Sequence, residues 1–406
     1  MKPREIFELI GRAPTGLSHS ENALQNTLTT ADFRLQAKRR LPRPVFDYLE
    51  GGADSESSLQ SNRDAFSKYF FVPSALKDVS KTDTSCEVLG AAASAPLGLA
   101  PTGYTRLLSQ AGERGAALAA AQKSVPYVLS TVATTSLEDV IKFTGTPPML
   151  QLYILKDRAI TRDMMSRATA NGVTMLEIAV DTAVSGNRIR DRRNGLTIPP
   201  RLDLRALAQI ALKPRYWAGM VLNPALEFAN VKPSIGAGGG LGGGSISEIT
   251  SQFDPAVTWD DIAEIRNQWP GTLLLKGPLS GVDAAKARSM GVDGVHLSNH
   301  GGRQLDHSIP PLELVAEVRA ATDSSFTIIV DSGVRSGSDI ALALCLGADA
   351  AFVGRPYVWA LVSAGTTGVS RMIDILTDEL TRTMQLLGVT SIAELKTSGR
   401  ELIRAH

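Results

Sequence analysis

The sequence predicts an α/β protein, a (β/α)8 TIM barrel with an N-terminal helical segment and a long insertion after strand 4. Three observations predict it. From about residue 95, short apolar runs alternate with longer amphipathic stretches. The apolar runs number eight, and eight strands each followed by a helix is what such a barrel requires. One interval, about 198–256, interrupts an otherwise regular rhythm. A doubly wound open sheet shows the same alternation; the count of eight favours the barrel.

Taken in order, residues 1–30 are polar and weakly patterned and read as an N-terminal arm. Residues 32–66 carry helical spacing broken at Pro42 and Pro44, and VFDYLEGGAD reads as a helix stopped by Gly51 and Gly52. The expected strands are PLGLAP, YVLST, MLQLY, MLEIAVD, TLLLKG, GVHLS, FTIIVD and AAFVG. Helical patterns cover Glu113–Lys123, Leu137–Phe143, Arg158–Asn171, Asp260–Trp269, Val282–Met290, Leu312–Ala321 and Gly337–Leu346. A last helix is expected near Val369–Leu387, which makes 31–390 one domain and 391–406 a C-terminal tail.

The interval after strand 4 contains the basic, apolar-rich LRALAQIALKPRYWAGMVL and the glycine run GAGGGLGGGS. Long segments at this end of a barrel usually have a job. Arg205–Leu222 has two readings. One is a helical lid packed on the barrel, the simpler of the two. The other is an interfacial membrane helix, with Arg205, Lys213 and Arg215 near lipid phosphates and Trp217 at the boundary. The glycine run reads as a linker; without a GK[ST] ending it is no Walker loop.

Bulk properties narrow the function classes. The 406 residues are 43% hydrophobic and 20% charged, with a net charge of +1. That balance is ordinary for a globular protein, and no global field argues for nucleic acid. Cys86 and Cys345 lie far apart and outside any CxxC. They make neither a disulfide framework nor a zinc site, and suggest a reducing, cytoplasmic compartment. The N-terminus lacks the apolar core of a signal peptide, and no apolar run of about 18 residues predicts a spanning helix. Peripheral contact with the inner face of the cell membrane stays open.

Polar residues at the C-terminal ends of barrel strands converge on one mouth. Here those ends supply Thr102 and Gly103, Ser130 and Thr131, Gln151 and Tyr153, then Asp181 with Arg188 beyond it. Strand 5 adds Lys276, strand 6 adds Ser298, Asn299 and His300, and Arg303 follows in SNHGGRQLD. DSGVRSG and GRP, at the usual phosphate end of such barrels, bring Asp331, Gly333, Arg335, Gly354 and Arg355. The bland alternative is that Gly333 and Gly354 merely make tight turns. A carboxylate beside an imidazole orients it, so Asp181 and His300 suit a general base. Arg188 and Arg303 can fork a carboxylate, and Lys276 can steady a developing anion. A base, a carboxylate clamp and a phosphate-anchored cofactor describe oxidation of a 2-hydroxy acid.

His296 and His300, four apart, invite a metal reading, but no third ligand cluster is visible and none is assigned. His19 and His406 read as solvated, and His307 stays unassigned.

With these motifs in place, the chain resembles the FMN-dependent L-2-hydroxy acid oxidase/dehydrogenase family. SNHGGRQLD is that family's signature, and LPRPVFDYLEGGA, APTG, LSTVAT, QLY, VDTAVSGNRIRD, LLLKG and DSGVRSGSD follow in the family's order from about Asp32 to Leu387. The resemblance implies that His300 is the base and Asp181 its support. It implies that Arg188 and Arg303, helped by Tyr48, bind the substrate carboxylate and that Tyr153 meets the substrate oxygen. Lys276 is then placed near flavin N1/O2. Ser130, Gln151, Thr102 and Gly103 are placed against the isoalloxazine, and Ser298 is counted with the cofactor-binding residues. Asp331, Gly333, Arg335, Gly354 and Arg355 are placed along the ribityl phosphate. A homotetramer is implied as well.

Three positions refine this. Many relatives have threonine where this chain has Ala179, so one flavin contact is expected to be lost. Plant glycolate oxidases carry tryptophan at the position of Val132, so a roomier pocket is expected. Gly103 is often alanine in the oxidases, which leans toward a dehydrogenase. The expected reaction is oxidation of L-lactate to pyruvate, with electrons passed to a quinone or a protein acceptor. An oxygen-dependent lactate oxidase or lactate 2-monooxygenase and a mandelate dehydrogenase are the alternatives. A flavin-binding barrel that acts on a peptide, or only binds, is the minor one.

Overall fold

The structure is a computed structural model that describes residues 24–194, 212–222, 226–231 and 251–406. Eight parallel strands form the central sheet: β1 (Leu97–Leu99), β2 (Val128–Ser130), β3 (Met149–Tyr153), β4 (Met175–Ala179), β5 (Thr272–Gly277), β6 (Gly294–Leu297), β7 (Thr327–Val330) and β8 (Ala350–Val353). Their order is β1-β8-β7-β6-β5-β4-β3-β2. A parallel bridge between Leu99 and Tyr127 joins the two ends, so the sheet closes into the expected barrel. MLQLY and TLLLKG form β3 and β5 over the expected residues. Toward the mouth, β3 turns Gln151 and Tyr153 inward and β5 turns Lys276 inward.

The helices start where side chains can satisfy their first free amides. Thr258 with Asp261, Ser280 with Asp283 and Ser336 with Asp339 form capping boxes, and Ser136 caps Leu137–Thr144. The main core lies between strands and helices. A smaller one plugs the barrel's far end with Val128, Met149, Leu274, Ile329, Ala350 and Phe352. A side chain at Gly98 would run into the Phe352 ring, which explains that glycine.

The N-terminal segment folds as Thr30–Arg40, Arg43–Glu50 and Ser57–Asp64. Thr29 and Asp32 box the first of these helices. Glu50 binds it to the barrel, accepting from Arg34 Nε at 2.6 Å and from Trp359 Nε1 at 2.7 Å. The last helix begins earlier than expected, at Arg355, directly after β8. Ala364 and Gly365 leave helical geometry, so Arg355–Leu387 is two helices joined at a kink. The stretch beyond 390, expected as a tail, is part of the body. Ile392, Leu395 and Leu402 are buried, and Ile403–Ala405 pairs antiparallel with Tyr69–Phe71.

Of Arg205–Leu222, the helix Pro214–Leu222 is described. From this helix Tyr216 donates its hydroxyl to the Leu107 carbonyl at 2.7 Å, and Lys213, just before it, donates to the Arg39 carbonyl. Arg205 and the glycine run lie outside the described residues. Among the described residues no helix is long and apolar enough to cross a membrane.

Candidate active site

All but one of the expected site residues line a single cavity at the barrel mouth: Tyr48, Thr102, Gly103, Ser130, Gln151, Tyr153, Arg188, Lys276, Ser298, His300, Arg303, Asp331, Gly333, Arg335, Gly354 and Arg355. The exception, Asp181, stands behind His300, its carboxylate 3.3 Å from Nδ1. His300 is one of few non-glycine residues with positive φ, at 57°. The backbone is held in this left-handed turn by the Ser298 hydroxyl, which accepts from His300 N at 3.1 Å, and by Ser332, which accepts from Gly301 N at 3.0 Å. Strain of this kind persists only when the surroundings over-determine it.

The rest of SNHGGRQLD supplies that determination. Asn299 exchanges two amide hydrogen bonds with Asn62, at 2.7 and 2.9 Å. Gln304 donates to the carbonyls of Asp181 and Val184 and accepts from Gly186 N, so it fixes the loop that follows β4. Asp306 accepts from Ser55 N at 3.0 Å, Ser55 Oγ at 2.5 Å and Ser58 N at 2.9 Å. Burial pushes this carboxyl up, but those donors outweigh it and hold the pKa well below the usual carboxylate range. Gly302 sits at φ 73°, and a Cβ there would lie 3.0 Å from Leu59 N, so Leu59 would have to give way.

The electrostatics of the cavity ask for an anion. Burial and the neighbouring Arg188 push Arg303 down to about 9. Burial and Arg63 push Arg335 down to about 10, and burial and Arg335 do the same to Arg355. Guanidinium groups ordinarily stay far above this, so the fold holds like charges together in a buried site. The buried Nε of Arg188 has no hydrogen-bond partner in the protein, nor has Nε2 of Gln151 deeper in the cavity.

The arginines are not equally free. Arg303 donates to the carbonyls of Tyr48 and Gly51 at 2.7 and 2.8 Å, with its guanidinium 5.0 Å from the Tyr48 ring centre. Arg355 donates to the carbonyls of Leu49, Gly301 and Gly51. Both therefore tie the N-terminal segment to the mouth as well as charging it.

Some residues of the site carried no earlier assignment. Glu113 is fully buried and accepts from Thr105 N, Thr134 N and the hydroxyls of Thr134 and Thr135, which locks the loops after β1 and β2 together. Phe228, within the insertion, and Phe253, at its returning end, also line the cavity. They pack on Tyr104 and Tyr153 at 5.0 Å between ring centres. His296 does not join His300: it points into the barrel interior and binds Glu177 at 2.8 Å. Val132 presses on Gly103 so closely that a Cβ there would strike it.

A family described as FMN-dependent dehydrogenase matches residues 37–402. The chain belongs to this family. As a member of the FMN-dependent dehydrogenases it is a flavoprotein oxidoreductase acting on 2-hydroxy acids. A putative L-lactate dehydrogenase of Mycobacterium tuberculosis is 41% identical over 93% of the chain and 89% of that protein. The L-lactate dehydrogenase of Caulobacter vibrioides is 39% identical over 90% of the chain and 96% of its own length. Among solved structures, a monotopic membrane protein, (S)-mandelate dehydrogenase, superposes with a TM-score of 0.88 at 36% identity, covering 94% of this chain and all of that one.

The cavity fits FMN on its own terms. Arg335 and the glycine turns at Gly333 and Gly354 offer a cationic corner, with open space beside Gly354. The unpartnered Nε2 of Gln151 and the ammonium of Lys276 offer donors to a polar ring edge.

Proposed function

We propose that the protein oxidises L-lactate to pyruvate and passes the electrons to a membrane quinone or another protein acceptor. The observation that carries the substrate class is the convergence of Arg188, Arg303 and His300 on one cavity, with the Arg188 Nε unpartnered. A small carboxylate between the two guanidiniums relieves their mutual repulsion and takes the open donor. Its hydroxyl then faces His300 and Tyr153.

When bound, FMN supplies the two-electron acceptor. The chain supplies positioning and proton handling. His300 removes a proton from the substrate through the ring nitrogen that Asp181 does not face. The buried Asp181 steadies the resulting imidazolium. Tyr153, buried and with its hydroxyl pKa pushed up, stays protonated and donates to the substrate oxygen. Phe228, Phe253 and Tyr153 wall the cavity with apolar surface and exclude water.

The same aromatic wall favours one second reading, an aryl substrate such as (S)-mandelate. Val132 and the two phenylalanines offer a ring a place to lie. Anaerobic mixing of the yellow holoenzyme with L-lactate, glycolate and (S)-mandelate separates them. The lactate reading expects fastest flavin bleaching by L-lactate; faster bleaching by mandelate replaces it with the aryl reading.

The acceptor and location are part of the same proposal. A cytoplasmic protein held peripherally on the inner face of the membrane, and assembled as a homotetramer, suits a quinone acceptor. Two observations support this placement: the related (S)-mandelate dehydrogenase is described as monotopic, and the insertion reaches the cavity at Phe228. Comparing reoxidation by a quinone analogue with reoxidation by oxygen tests the acceptor.

A further inference from the structure

Below the mouth, the barrel interior holds four ionisable side chains in contact. His296 Nδ1 lies 2.8 Å from Glu177 Oε2. Its other nitrogen, Nε2, lies 3.1 Å from Lys276 Nζ and 3.1 Å from Asp331 Oδ2. Lys276 donates to the same Asp331 oxygen at 2.5 Å. Glu177 and His296 have no solvent exposure, and Lys276 and Asp331 are 5% and 7% exposed. Lys276 and Asp331 reach the cavity; Glu177 and His296 do not.

This arrangement follows from strand register. Glu177, Lys276, His296 and Asp331 occupy inward positions of β4, β5, β6 and the end of β7, and Lys276 pairs directly with His296. Buried charges are costly unless paired. An apolar barrel layer would do for packing, as the plug beneath it does. With a neutral His296 the four groups sum to one net negative charge; with an imidazolium they sum to zero.

We propose that Glu177 and His296 are positioning residues for Lys276. Together they fix its ammonium and the charge balance at the cavity floor, and through it the reduction potential of the bound flavin. The inference rests on flavin binding at this cavity but not on the choice of hydroxy acid.

Two hydrogen-bond patterns are open to the imidazole. In one, Nδ1–H donates to Glu177 and Nε2 accepts from Lys276. In the other, the imidazolium donates to Glu177 and Asp331, and Lys276 keeps Asp331 alone. Burial and Lys276 push the ring's pKa down, but Glu177 and Asp331 outweigh them and hold it above its ordinary value. That favours the charged pattern. The other face of His296 meets the Phe352 ring edge-on at 5.3 Å, which carries no charge. Asp331 is kept ionised: burial pushes it up, but Lys276 and His296 hold it well below the carboxylate range. Lys276 and Asp331 both face the cavity and offset each other, so the pair behind them sets the balance, with the imidazolium of His296 nearer the cavity and Glu177 farther from it. An oriented charge pair in a dry interior acts over a longer range than one in water. It stabilises negative charge at the cavity floor, where flavin reduction would place it.

The test is a dye-coupled redox titration of FMN-loaded protein, with no substrate present. His296→Gln can donate to Glu177 and accept from Lys276, as the neutral ring would, but cannot carry a proton. The double variant Glu177→Val/His296→Val exchanges the pair for apolar side chains, a replacement that buried ion pairs often tolerate. Both should shift the two-electron equilibrium about tenfold toward oxidised flavin, a potential about 30 mV more negative. His296→Val alone strands the Glu177 carboxylate and should melt at a lower temperature than the double variant. Wild-type potentials in both loaded variants would overturn the proposal, as would equal melting of the single and double variants. Failure to oxidise lactate leaves this test intact, because no hydroxy acid enters it.

Discussion

The carboxylate of Asp181 faces Nδ1 of His300 at 3.3 Å, and the two residues arrive there from different strands. Gln304, four residues after His300, donates to the Asp181 carbonyl at 2.8 Å and so closes the link through the backbone. The proposed base and its support are held by one loop.

Asp181→Asn should therefore lower turnover by roughly 10²-fold, the scale expected when a positioned base loses its support. FMN content should be unchanged, because Asp181 does not line the cavity. Steady-state kinetics with flavin quantified by absorbance checks both halves. Full turnover in the variant removes Asp181 from the mechanism.

Arg188 and Arg303 should separate under substitution. Arg188 has an unpartnered Nε, so Arg188→Met should raise KM by about 10- to 100-fold, the worth of a charge-assisted hydrogen bond, and leave the fold alone. Arg303→Met also loses two carbonyl contacts to the N-terminal segment, so its melting temperature should fall as well. Equal thermal stability of the two variants contradicts this division.

Asp306 predicts a specific acid response. Its folded pKa is depressed, so it contributes stability above the unfolded value of about 3.9 and loses it as pH falls toward the folded value. Asp306→Asn should be less stable than the parent above about pH 5, and the gap should narrow below about pH 4. Thermal melts across that window measure it; a gap that widens with acid has the wrong sign.

Gly302 sits at φ 73° with Leu59 N in the path of any Cβ. Gly302→Ala should cost about 1–2 kcal/mol from the left-handed conformation alone, plus the displacement of Leu59. Denaturant titration reads it. A variant as stable as the parent shows that the loop relaxes freely.

Much of this was legible in the sequence, and the reason is chain-local. The strand pattern needs only apolar alternation, so MLQLY and TLLLKG could be placed residue by residue. The mouth residues followed because barrel strand ends have a fixed destination. The partners that hold the mouth did not follow. Asn62 meets Asn299 across 237 residues and Ser55 meets Asp306 across 251, and no local signal links them. Glu113 belongs with these, since a glutamate early in a helix reads as a solvated charge. The chain end paired as an edge strand because Tyr69–Phe71 needed a partner, which composition does not reveal. Glu177 and His296 did leave a trace: each is a lone ionisable residue at an inward position of an apolar strand. Reading them as a pair required the register of β4, β5 and β6.

The central claim is that the cavity brings a 2-hydroxy acid of one hand against His300 and a bound flavin. Anaerobic titration of the FMN-loaded protein with L-lactate and D-lactate, followed at the flavin absorbance, tests it most directly. The account predicts full bleaching by the L-enantiomer and none by the D-enantiomer, with the L-response lost in His300→Ala. Flavin that stays yellow with every 2-hydroxy acid of either hand, or bleaching that survives His300→Ala at the parent rate, would contradict it.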